Sequence, residues 1–271
     1  MKKDRFLQYK KAICAYRGDA VNVCEPQNTG TQHNLLMADT YNGKMAFKFN
    51  EYNIVQKNAA VSHIYNTRGI HVPDVKIAQS DDLFFETYRI LDGITLAQAI
   101  KDGIGAQQIQ NIYANIMASF AKMDRVYPST LPQNEMNYVH NIGASYVANT
   151  IGRPASWLIK PLLKSVNRGP ERDISVYHTG ITPKNTIVSN DGHFVGFVDL
   201  DEACICNKNY AFAMMAAKYQ EIGFDYTDLI KLYESVGRGK INREMVRKLV
   251  NVSTAIKRTM WKLQQLKQKS K

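Results

Sequence analysis

The sequence predicts an α+β fold in two lobes, a β-rich N-terminal part over residues 1–92 and a mainly helical part over 93–271. Three observations carry this expectation. Short apolar segments bounded by turn residues crowd the first ninety positions. Beyond them, apolar residues recur at spacings of three and four. A strand–turn–strand pattern then interrupts the helical part between 174 and 199. Strands gathered first and helices gathered later point to segregated α+β layers rather than alternating βα units.

Taken in order, residues 4–16 read as a short helix. Residues 34–39 (NLLMAD) and 44–49 (KMAFKF) read as strands joined at Tyr41-Asn42-Gly43, since Asn-Gly suits a hairpin turn with both positions at φ > 0. A helix is expected over 53–67, then strands near 74–79 and 82–90 with Asp81-Asp82 between them. Leu91-Asp92-Gly93 breaks the pattern and marks the lobe boundary. Residues 106–126 carry Ile109, Ile112, Ile116, Met117 and Phe120 at helical spacing. Further helices are expected at 138–150 and 155–167, separated by Gly152-Arg153-Pro154. Strands follow at 174–177, 186–188 and 193–199, the last two joined at Asn190-Asp191-Gly192, and helices return at 209–222 and 226–236.

With 271 residues and 45% hydrophobic content, the chain is long and apolar enough for a sizeable core. No apolar run approaches the roughly 20 residues of a membrane span. No h-region follows the basic start MKKDRFLQYKK, so a signal peptide is not expected. Four cysteines (Cys14, Cys24, Cys204, Cys206) suit a reducing cytoplasm, and Cys204-Ile-Cys206 lacks partners at zinc spacing, which makes it a buried strand end. The net charge of +11 is concentrated: residues 238–271 hold eleven Lys or Arg and one acid, a net of +10. There Ile241, Met245, Leu249, Val252, Ile256, Met260, Leu263 and Leu266 mark one helix face. The rest is basic. It is either the solvated face of a packed helix or a docking surface for a polyanion or a protein partner.

The chemistry is concentrated in SVYHTGITPKNTIVSNDGHFVGFVDLD, residues 175–201. A His is followed seven residues later by an Asn, and then by a strand ending in Asp. Phosphoryl transfer needs phosphates held, a metal to neutralise charge and an oriented nucleophile. Asn185 and Asp199, with Asp201 beside them, offer the hard oxygen donors that Mg²⁺ takes. Lys48, in the strand segment AFKF, is a candidate phosphate anchor. The small polar run around Gly30 is a candidate phosphate cover. His63, His71 and His140 have no metal spacing, and Tyr138, Tyr146 and Trp157 suit either helix packing or an acceptor pocket.

The run His178-Thr179-Gly180-Ile181-Thr182-Pro183-Lys184-Asn185 followed by VDLD at 198–201 resembles the aminoglycoside phosphotransferase/choline kinase family of the protein-kinase-like fold. That family's loop runs H-G/T-D-L-x-P-x-N. The resemblance extends over about residues 28–222 and implies a bilobal kinase-like fold. It also implies ATP or GTP and Mg²⁺ as cofactors, and transfer to a hydroxyl of a small molecule. By this likeness His178 and Asn185 belong to the catalytic loop, Asn185, Asp199 and Asp201 to the metal site, and Gly30, Lys48, Glu86 and Tyr88 to the nucleotide site. Glu86 and Tyr88 lie in FETYRILDGITLAQAI, which resembles the interlobe linker.

Three positions depart from the family pattern. Gly180 stands at the catalytic Asp, Asn58 near the helical Glu that pairs with the strand Lys, and Ala211 at an Asp that braces the catalytic loop. General acid–base catalysis contributes about 10²–10⁴-fold, so a chain without that Asp is expected to be slow rather than inert. Asp173, Asp201 and Glu202 are the nearby carboxylates. Three readings follow: a small-molecule kinase, a pseudokinase that binds nucleotide or serves as a scaffold, and a kinase-like fold turned to another nucleotide chemistry.

Overall fold

A computed structural model describes residues 3–26, 34–130, 174–236, 239–251 and 254. The helices expected at 138–150 and 155–167, together with Asp173, Gly30 and most of the basic segment, lie outside the described residues. The chain divides into two compact units, Met1–Asp92 and Gly93–Lys271.

In the first unit α1 (Lys3–Tyr16) precedes β1 (Val21–Cys24), β2 (Leu35–Thr40) and β3 (Gly43–Phe49). Helix α2 (Tyr52–Thr67) then leads to β4 (Lys76–Ser80) and β5 (Leu83–Arg89). The strands form one antiparallel sheet in the order β1-β2-β3-β5-β4. Strand β1 has a single buried residue, Val23, which explains why alternation did not reveal it. The β2–β3 hairpin turns at Tyr41-Asn42, but only Gly43 takes a positive φ, at 93°. The Asn-Gly pair thus closes the hairpin through its glycine alone. The Thr40 hydroxyl donates to the Gly43 carbonyl at 2.8 Å and accepts from the Asn42 N–H at 3.2 Å.

Alternation along β3 sends Phe47 and Phe49 to one face of the sheet and Lys48 to the other. The phenylalanine face packs against Tyr9, Ala12 and Ile13 of α1 with Leu36, Ala38, Ala78 and Phe85. Tyr9 stacks on Phe49 with ring centres 3.8 Å apart. Helix α2 meets the sheet from β4 and β5 and buries Val55, Lys57, Asn58, Val61, Ser62 and Tyr65. The Ser62 hydroxyl donates to the Pro73 carbonyl at 2.6 Å and accepts from the Val75 N–H at 3.0 Å, tying the helix to the start of β4.

The second unit opens with β6 (Ile94–Thr95), α3 (Leu96–Lys101) and α4 (Ala106–Met123). Gly93, at φ 145°, is required by close approach: a Cβ there would lie 2.2 Å from the Val188 carbonyl oxygen. Strands β7 (Ile174–His178), β8 (Thr186–Val188) and β9 (Phe194–Phe197) follow, then a 3-10 turn (Leu200–Glu202) and β10 (Ala203–Asn207). Helices α5 (Lys208–Gln220) and α6 (Tyr226–Val236) come next, and residues 243–251 are helical. Two antiparallel sheets result, β10-β7 and β6-β8-β9.

The apolar face of α4 buries Ile112, Tyr113, Ile116, Met117, Phe120 and Met123. Phe120 stacks on Tyr177 at 5.1 Å and meets Phe212 and Tyr233 edge-on at 5.7 and 5.8 Å. Truncating such a ring typically costs about 3–5 kcal/mol. Just past α4, the Asp124 carboxylate accepts from the hydroxyls of Tyr177 and Tyr233. The Tyr177 hydroxyl is held far above its ordinary pKa, first by burial and then by that carboxylate. In the helix at 243–251, Val246, Leu249 and Val250 are buried along with the preceding Ile241, while Met245 is half-buried. The apolar face there is thus rotated by about one residue from the expected series.

Candidate active site

In the first unit, β3 and β5 set Lys48 directly opposite Glu86. Cross-strand partners project to the same face with Cβ atoms about 5 Å apart. Lys48 is 4% exposed and Glu86 3%. From α2, the fully buried Asn58 donates its side-chain N–H to Glu86 Oε1 at 2.6 Å. Lys57, next to it, is also buried. Charges removed from water this completely persist only when charge and hydrogen bonds compensate them. A carboxylate therefore does face Lys48, but it comes from a strand and not from the helix. Asn58, near the position of the helical Glu in the family pattern, instead donates to Glu86. The strand register held the missed signal. Phe47 and Phe85 alternate onto the core face, which sends Lys48 and Glu86 together to the other. Glu86, at the start of the linker-like run and inside the strand expected at 82–90, lies within the sheet. Tyr88, also in β5, is half-buried and opposite Ala46.

In the second unit, β7 ends in His178 and delivers the loop 179–185. His178 is fully buried, and its Nε2–H donates to the Val198 carbonyl at 3.2 Å. His178 thus supports the loop from behind. The Val198 N–H donates to the Asn185 carbonyl at 2.9 Å, which joins the loop to the residue preceding Asp199. The Asn185 side-chain N–H donates to the Gly180 carbonyl at 3.0 Å. Only the amide nitrogen can make that bond, so Oδ1 is left as an oxygen donor.

Asp199 takes the left-handed conformation, φ 66° and ψ 68°. Non-glycine residues held there cost of the order of 1–3 kcal/mol, and such strain gathers at functional sites. Carboxylate and amide oxygens are the hard donors that Mg²⁺ prefers, and it needs only one or two from protein. Asn185 and Asp199 carry oxygens of these two kinds. Asp201, the other candidate, is half-buried in the 3-10 turn. Among the described residues no cluster of three or more His, Cys, Asp or Glu side chains is suited to a metal ion.

Ala211 is fully buried in α5 and brings no carboxylate to the loop. Hydroxyls brace it instead. The Thr186 hydroxyl donates to the Thr182 carbonyl at 2.9 Å and lies 3.3 Å from the Tyr219 hydroxyl, whose pKa burial pushes up. The Thr179 hydroxyl donates to the Glu202 carbonyl at 2.6 Å.

Gly180 is tightly enclosed. A Cβ there would stand 2.9 Å from His178 Cε1, 3.1 Å from Glu202 Cβ and 3.2 Å from Glu202 Oε2. Position 180 is thus bordered by a carboxylate, on a residue that the sequence marks only as a neighbour.

No family model matches the chain, and no curated protein matches it. Solved structures do. The chain is similar to the GDP complex of aminoglycoside 2'-phosphotransferase-IIIa, at 12% identity and TM-score 0.66 over 97% of this chain and 92% of that one. It is similar to choline kinase LicA from Streptococcus pneumoniae, at 14% identity and TM-score 0.60 over 98% and 92%. It is also similar to aminoglycoside phosphotransferase APH(3'')-Id from Streptomyces rimosus in complex with ADP and streptomycin, at 13% identity and TM-score 0.60 over 92% and 97%. The chain has the protein-kinase-like α+β fold of these proteins.

Proposed function

We propose that the chain is a phosphotransferase that uses ATP or GTP with Mg²⁺ and acts on a hydroxyl of a small molecule. The observation that carries this reading is the Asn185–Asp199 pair: one amide oxygen left as a donor by the bond to Gly180, and one carboxylate held in a strained backbone conformation. Bound by these two oxygens, Mg²⁺ would neutralise phosphate charge. Lys48, opposite Glu86 across the sheet of the first unit, would bind phosphate oxygens. His178 would keep the loop in place through the Val198 carbonyl. The proteins of like fold bound to GDP or ADP support a nucleotide as the donor substrate.

Thermal melting tests the reading. Millimolar ATP or GTP with Mg²⁺ is expected to raise Tm, because a ligand at 100 times its Kd stabilises by about 2.7 kcal/mol. For a chain of this length that is a shift of several degrees. Asp199→Asn is expected to shrink the shift. A wild-type Tm unmoved by either nucleotide would remove the proposal.

A second reading, a pseudokinase that binds nucleotide without transfer, is favoured by one observation, the missing side chain at Gly180. It predicts the same thermal shift with no turnover. The basic segment at 238–271 would serve either protein as a docking surface for a polyanion or a protein partner. Among the described residues no helix is long and apolar enough to cross a membrane. A cytoplasmic location is supported by four free thiols.

A further inference from the structure

We propose that Glu202 supplies the carboxylate that the catalytic loop lacks, orienting the acceptor hydroxyl and receiving its proton. This inference rests on the phosphotransferase reading above. It begins from space. Position 180 has no room for a side chain while Glu202 and His178 keep their places, because even a Cβ would approach them to 2.9–3.2 Å. The oxygens of an Asp stand two bonds from its own Cβ. Glu202 Oε2 lies 3.2 Å from that same Cβ point, so it borders the volume that an Asp at 180 would use.

The backbone fixes this arrangement. The Glu202 carbonyl accepts from the Thr179 hydroxyl at 2.6 Å and from the Thr179 N–H at 3.4 Å. The next residue, Ala203, pairs in register with His178 across β10 and β7. Glu202 is thus attached to the two residues that lead into position 180 and not carried on a free surface. It is half-buried, and among the described residues its carboxylate oxygens have no hydrogen-bond partner. They are acceptors available to a hydroxyl. Groups held by packing and backbone bonds in this way contribute most to positioning a nucleophile.

The step balances without a further reagent. The acceptor oxygen forms a bond to the γ-phosphorus of the nucleoside triphosphate. The bond from that phosphorus to the β,γ-bridging oxygen breaks, and its electron pair leaves with the nucleoside diphosphate. The hydroxyl proton passes to the Glu202 carboxylate. The loop Asp of other such sites is replaced here by a residue that follows the metal ligands, and Gly180 is the opening that lets it in.

The test uses the full chain, Mg·ATP and water as the acceptor, with ADP release as the rate and Tm as the binding readout. Melting without nucleotide establishes that each variant folds. Glu202→Gln and Glu202→Ala are expected to lower turnover by about 10²–10⁴-fold, the usual contribution of a general base, while keeping the Mg·ATP shift in Tm. Gly180→Asp in the Glu202→Ala background is expected to recover at least tenfold, because removing the longer side chain frees the space. Gly180→Asp alone is expected to lose activity. Either Glu202 variant turning over within twofold of wild type would overturn the proposal. So would a wild type that binds Mg·ATP without turnover, which leaves the pseudokinase reading standing. A wild type that shows no Tm shift overturns the phosphotransferase reading first, and this inference with it.

Discussion

Lys48 and Glu86 face each other with almost no exposure, and Asn58 closes the group from the helix side with a 2.6 Å bond to Glu86. A neutral donor suits this position because a second carboxylate would repel the first. Asn58→Asp is expected to destabilise the first unit more at pH 8 than at pH 5. The added carboxyl, buried beside Glu86, would have its folded pKa raised above the unfolded value. The folded state would then hold more protons than the unfolded one, and stability would fall as pH rises through that range. Asn58→Ala would lose the donor and cost about 1–3 kcal/mol with little dependence on pH. Urea denaturation at the two pH values checks both variants, and an Asn58→Asp chain equally stable at each would contradict this account of the cluster. The sequence showed Lys48 and the lack of an acid at Asn58. Its partner became visible only through pairing, because a contact between residues 38 positions apart depends on which strands are neighbours.

Strand β10 illustrates what a single strand does for a loop. Its pairing with β7 places Ala203 opposite His178 and Cys206 opposite Ser175, so the segment after Asp199 is stitched to the segment before the loop 179–185. Both cysteines of this strand are buried, whereas Cys14 and Cys24 are exposed. Burial, with Cys204 adding to it, raises the Cys206 thiol well above its usual pKa. The thiolate is the reactive form, so a disulfide reagent at pH 8 is expected to titrate two thiols in the native chain and four after denaturation. Rapid reaction of all four in the native chain would place β10 at the surface instead. The buried strand end at Cys204-Ile-Cys206 was legible because the two cysteines lack partners at zinc spacing. The elements that escaped were short. Strand β6 has two residues and β1 one buried position, too few for any periodicity to register. Asn185 and Asp199, the pair proposed to hold Mg²⁺, could be picked out together because they lie within fifteen residues of one chain segment. Glu202 was not, because its value depends on the space left by Gly180.

At the scale of the molecule, charge is distributed unevenly along the chain, with a net +10 of the total +11 falling in residues 238–271. If this segment docks a polyanion, retention on a phosphocellulose column is expected at low salt and to weaken steeply as salt rises. A chain shortened after Asn251 is expected to elute much earlier, and equal retention of the two chains would assign the binding elsewhere. The crowding around Gly180 has a different kind of consequence, one for how this sequence can change. A single codon change that brings Asp to 180 meets Glu202 and His178 at contact distance. Shortening Glu202 first removes the carboxylate that borders the loop. If Glu202 has the proposed role, each first step toward an Asp at 180 passes through a poorer protein, and only the pair of changes together leads across. Geometry alone would then hold the carboxylate at 202.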